Sequence, residues 1–153
     1  MQDQLDRRRF EAMLQPYFDR IDGAFWSRYV LKKQLPGNAP RRILMQTGLG
    51  DPEVPNLAAF LHARALGLKQ LQPNVPAVFG LEPIEGPTSE SVEVLYDLGV
   101  DLHAVYEQAR PYPLPNQVHE GARRILPALQ QLGAFFGARD EVANFCSGVC
   151  DPD

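Results

Sequence analysis

Cysteine is scarce in this chain: Cys146 and Cys150 are the only two among 153 residues. A dense disulfide framework is therefore excluded. Two cysteines without a nearby second pair also fall short of a zinc set, so no metal site is expected. Long apolar runs are missing as well. No stretch approaches the roughly 18 residues that a membrane span needs, and Met1 to Arg9 is almost wholly polar, with no apolar export-signal core. Positive charge is in deficit, with 15 Lys+Arg against 19 Asp+Glu and a formal net charge of −4. Without a broad basic field, nucleic-acid binding is disfavoured as the main role. Arg7-Arg8-Arg9 and Lys32-Lys33 read as short solvated faces rather than phosphate tracks. No internal repeat appears at periods of 20 to 50 residues.

What is present argues for a packed domain. Hydrophobic residues make up 44% of the chain, with eight Phe, five Tyr and one Trp, which excludes general disorder. A chain of this size buries roughly 70% of its extended surface on folding, enough for one core. Fourteen Pro and twelve Gly divide it into segments.

Residues 1–38 read as a helical segment and 39–153 as an α/β domain with a cysteine-containing tail. Phe10, Met13, Leu14, Tyr17, Phe18 and Ile21 recur at helical spacing over 4–21, with Pro16 expected to kink or divide the run. Asp22 suits the cap of a second, short helix carrying Phe25, Trp26, Tyr29 and Val30, with aromatic rings expected at the surface. Arg42 to Thr47 is a buried-strand pattern left through Gly48-Leu49-Gly50. Asp51 follows at once, and Leu57, Phe60, Leu61, Ala65 and Leu66 form a helical stripe stopped by Gly67. Residues 68–90 read as irregular. Ser91 to Tyr96 alternates as a second strand, and Asp97 to Val118 is a long loop. A last helix starts near His119, with Ala122, Ile125, Leu126, Leu129, Leu132, Phe135 and Phe136 on one face. Pro127 bends it or marks its true start. Strand, helix, strand, helix predicts an α/β fold with parallel pairing.

In open α/β sheets, ligands gather at the carboxyl ends of strands. Asp51 and His119 fall in such places and are the residue types that orient and perform general-base chemistry in a hydrolytic triad. Asp51 has a plainer alternative as a loop acid capping the following helix, and His119 as a helix-start histidine. His62 and His103 read as surface or structural. Gly48-Leu49-Gly50 is no phosphate loop, because it lacks a third glycine and a Lys-Ser/Thr pair and is followed by an acid.

From about Arg41 to Phe136 the chain resembles the C-terminal part of an α/β-hydrolase. Ile43 to Pro55, with Gly48-Leu49-Gly50-Asp51-Pro52-Glu53-Val54-Pro55, is similar to the segment bearing that family's acid. Asn116-Gln117-Val118-His119-Glu120 is similar to its histidine loop. The resemblance implies a partial α/β-hydrolase-like parallel sheet with flanking helices, Asp51 as triad acid and His119 as triad base, a small ester-type substrate and no cofactor. It also implies an extracellular or envelope location, although the chain shows no signal of its own. The departure is the nucleophile. Ser27, Ser89, Ser91 and Ser147 are the only serines, and none lies in a G-x-S-x-G elbow. The expectation is therefore the C-terminal portion of a serine hydrolase, inactive by itself, completed by an N-terminal hydrolase half or by a second copy. The alternative is a non-catalytic α/β module that pairs with a partner or with itself. Cys146 and Cys150, spaced C-S-G-V-C, fit a small-loop disulfide, since Gly148 permits the turn and the look-alikes are exported; two free thiols are the other reading. Such a bridge is expected to stabilise the tail more than the domain.

Overall fold

The computed structural model describes residues 3–73, 76–100, 116–138, 140–148 and 150. His103 and most of the loop expected between Asp97 and Val118 lie outside the described residues. Helix α1 (Gln4–Phe18) is capped by Asp3, whose carboxylate accepts from the Leu5 and Asp6 amides. Pro16 lies inside it without dividing it, because the helix ends within three residues and little of the hydrogen-bond ladder remains to be lost. Asp22 caps α2 (Gly23–Trp26) through the Ala24 amide, and a 3-10 turn (Ser27–Tyr29) follows.

The domain proper is a four-stranded, all-parallel sheet of β1 (Leu44–Gly48), β2 (Lys69–Gln72), β3 (Pro83–Glu85) and β4 (Val92–Tyr96), in the order β1-β4-β2-β3. Helix α3 (Asn56–Leu66) follows β1, and α4 (Val118–Gly121) and α5 (Leu126–Phe136) follow β4. The α/β class and the parallel pairing are as the pattern predicts. Two strands correct the irregular reading of 68–90. Lys69–Gln72 lacks β-branched residues and buries Gln70, whose side chain bonds Pro76 O and the Val78 amide; β3 opens on a proline, tolerable at a sheet edge.

All five residues of β4 are buried, as a central strand requires. Val92, Val94 and Tyr96 face a core shared with Ala122 and Ala128, while Leu95 meets Leu49, Phe60 and Val78 on the other side. A third cluster joins Ala63, Leu66 and Leu68 to Val30 and Leu31, so the end of the N-terminal segment packs on α3. The helical stripes are rotated from expectation. Asn56, Phe60, Ala63 and Leu66 face inward on α3, and Ala128 and Gln131 on α5, while Leu61, Leu126, Leu129 and Phe136 are exposed. On α5 a hydrogen-bond network displaces the leucines. Gln46 donates to Ala128 O and Gln131 Oε1, Tyr96 OH donates to the same Oε1, and Gln131 Nε2 donates to Ala143 O. Buried polar groups must pair, and here their pairing sets the helix face. Pro127 marks a true start, in the first turn of α5, and α4 is a separate turn.

Cys146 and Cys150 form a disulfide with their Cα atoms 5.1 Å apart. The bridge reaches beyond the tail itself. Cys150 is buried in the core beside Tyr96, and its carbonyl accepts from the Asp97 amide at 2.9 Å. Upstream, Val142 bridges Thr88 by two backbone bonds of 2.9 and 2.7 Å. The tail thus holds the chain on both sides of β4.

Candidate active site

Because β1 and β4 are adjacent and parallel, the turn leaving β1 and the segment returning after β4 gather at one end of the sheet. Gly50 has φ +79°, a left-handed conformation that L side chains rarely adopt, and turns the chain sharply into Asp51. Both of its backbone groups are fixed. Asn56 Oδ1 accepts from the Gly50 amide at 2.8 Å while Asn56 Nδ2 donates to Gly48 O at 2.7 Å. Asn116 Nδ2 donates to Gly50 O at 2.9 Å, and its Oδ1 accepts from the Val118 amide. One asparagine thereby ties the turn to α3 and the other ties it to the histidine segment. Gly48 allows the final approach: a Cβ there would stand 2.5 Å from Val118 Cγ1 and 3.0 Å from Ala122 Cβ.

These restraints bring the two predicted residues together. His119 Nδ1 lies 2.9 Å from Asp51 Oδ2, with the Asp51 side chain 15% exposed and the imidazole 29% exposed. The other Asp51 oxygen, Oδ1, accepts from the Glu53 and Val54 amides at 2.7 and 3.0 Å. The helix-cap alternative for Asp51 is not what the geometry displays. The position before α3 is Pro55, without a side-chain cap, and Asp51 organises the preceding turn. The hydrogen bond that Asp51 accepts from the ring is the main influence raising the His119 pKa above the ordinary histidine value. Partial desolvation opposes it, the charges of Asp51 and Glu53 add to it, and Arg123 works against it.

A cleft of about 200 Å³ lies beside the site, lined by Met45, Thr47, Asp51, Val54, Asn56 and Ala59. It borders β1, which pairs with β4 on one side and, among the described residues, with no strand on the other. Thr47 Oγ1 donates to Glu93 Oε1 at 3.1 Å, and Glu93 Oε2 is buried without a partner. Among the described residues, no cluster of three or more His, Cys, Asp or Glu is placed to hold a metal ion, and no helix is long and apolar enough to cross a membrane. Ser27 is buried and donates to Gly23 O, while Ser91 Oγ accepts from the Ile43 amide. Among the described residues, the side chains paired with His119 are both carboxylates, Asp51 and Glu53.

Sequence reasoning missed Asn56 and Glu53. Asn56 reads as an ordinary helix-start residue, and only its distance from Gly48 and Gly50 in space reveals its role. Comparison with known proteins finds no matching family model, no matching curated protein and no matching solved structure.

Proposed function

We propose that this chain supplies the acid and the base of a Ser-Asp-His triad for ester-type acyl hydrolysis, the serine arriving on a different polypeptide segment. The observation that carries this reading is the 2.9 Å contact of Asp51 Oδ2 with His119 Nδ1 at the carboxyl ends of neighbouring parallel strands. In that role Asp51 accepts a hydrogen bond from Nδ1–H, which stays on the ring, and fixes the tautomer. Nε2 then takes the proton of the serine hydroxyl as it attacks the ester carbonyl, and returns it to the leaving alkoxide. The likeness of residues 43–55 to the acid segment of α/β-hydrolases supports the assignment. So does the flank of β1 that pairs with no strand among the described residues, where an added parallel strand would end beside Asp51 and the cleft.

The test is fluorophosphonate labelling of the chain alone and of the assembly in which it is isolated, read by intact mass. The expected result is no adduct on this chain and one on a serine of its partner, lost with His119→Ala. An adduct on one of the four serines here, or partner labelling indifferent to His119→Ala, overturns the reading. One feature favours the second reading, a non-catalytic pairing module. The α1 stripe of Phe10, Met13, Tyr17 and Phe18 is exposed, and no residue of that helix is buried. Under that reading the assembly forms with or without His119 and carries no activated serine.

A further inference from the structure

The imidazole of His119 has a second acidic neighbour. Glu53 Oε2 lies 3.6 Å from Nε2, the ring nitrogen that does not face Asp51. This is an ion-pair distance, too long for a hydrogen bond. Both carboxylates come from one turn. The Glu53 amide donates to Asp51 Oδ1 at 2.7 Å, so the bend that aims Asp51 at Nδ1 also returns residue 53 to the far edge of the ring. The two acids differ in freedom. Asp51 is held by two backbone amides and is 15% exposed, whereas the Glu53 side chain is 66% exposed and can leave by changing rotamer. From the α4 side the charged groups are Glu120, Arg123 and Arg124. Both arginines are bonded to Glu120, which draws them away from competing for Glu53.

Nε2 is also the atom that must accept a hydroxyl proton under the proposed function. A carboxylate stationed there favours a ring that already carries that proton and so cannot accept another. We infer that Glu53 is a positioning residue that favours the imidazolium form of His119 and so restrains it from acting as a base until an incoming hydroxyl group displaces the Glu53 side chain from Nε2. On displacement the Nε2 proton passes to solvent, and the neutral ring, still bonded to Asp51 through Nδ1–H, can take the hydroxyl proton. The functional meaning rests on the triad reading, but the charge state of the free chain does not.

The experiment is NMR titration of the His119 ring in the whole chain, as wild type, Glu53→Gln and Asp51→Asn. Glu53→Gln is expected to lower the midpoint by about 0.5 pH units, a screened surface interaction at this separation. Diethyl pyrocarbonate, which modifies only the neutral ring, should then acylate His119 faster at pH 7, by no more than the roughly threefold gain in neutral fraction that half a pH unit allows. Asp51→Asn should lower the midpoint further. A Glu53→Gln titration that coincides with wild type while Asp51→Asn shifts removes the role of Glu53 and leaves the Asp51–His119 pair standing. No shift in either variant removes both.

Discussion

Glu93 permits a quantitative test of the packing described above. It lies in the central strand with its side chain buried, one oxygen bonded to Thr47 and the other unpartnered. Burial pushes its pKa from 4.5 up to about 7, against the opposing effects of the Thr47 hydrogen bond and the Arg64 charge. At about 1.4 kcal/mol per tenfold change in proton affinity, ionising it in the native state costs about 3 kcal/mol. The sign follows from proton counting. Between about pH 4.5 and 7 the native chain keeps a proton that the unfolded chain has released, so stability falls with rising pH across this window and levels off above it. About 2.5 kcal/mol of that loss falls between pH 5 and 8.5. His119, also raised, contributes stability below the ordinary histidine pKa that fades as pH climbs past its own higher value, in the same direction. The assay must therefore be a difference of differences. Urea denaturation of wild type and Glu93→Gln at both pH values cancels His119 and any constant cost of the amide. Wild type should lose about 2.5 kcal/mol more than the variant, or about 5 to 10 °C in Tm. Parallel pH dependences in the two proteins would refute the argument.

Asn56→Ala leaves Gly48 O and the Gly50 amide buried without partners, so a loss of about 3 kcal/mol in urea denaturation is expected, with a downward shift of the His119 titration as the turn loosens. Gly48→Ala should push α4 away from β1 and lower the His119 midpoint toward that of free histidine, at a cost of about 1 to 3 kcal/mol; an unchanged titration would show that the close approach is not required. Replacing both Cys146 and Cys150 with serine should cost about 2 kcal/mol from loop entropy alone, more with Cys150 in the core. Mass spectrometry should find two mass units gained on reduction of the native chain. Phe10→Ser with Met13→Ser should leave stability within about 0.5 kcal/mol, since α1 buries nothing within the chain.

Elements with a strong local signal were legible in the sequence. Asp22 announces α2, the apolar run before Gly48 announces β1, and Gly67 announces the end of α3. The meeting of Asp51 and His119 was also legible, because parallel strands place their exits at one end of the sheet. The two short strands were not. Gln70 is buried through hydrogen bonds to a turn six to eight residues away, which no periodicity records. The inward face of α5 was misjudged for a related reason. Gln131 outcompetes Leu129 and Leu132 because Gln46, Tyr96 and Ala143 converge on it from three other parts of the chain. Asn56 and Asn116 were hidden in the same way, since each acts on backbone atoms of a turn that only the folded chain brings within reach.

The tail carries a mechanical consequence. It meets the chain at Thr88, before β4, and at Asp97, after it. A pull applied through the tail is therefore borne at both ends of the strand on which the sheet is built, with the amide–carbonyl contact of Asp97 and Cys150 loaded first. A tether attached there would strain the exit of β4 at Asp97 before it strained the periphery. Anchoring the molecule through α1, none of whose residues is buried, would load neither end of that strand.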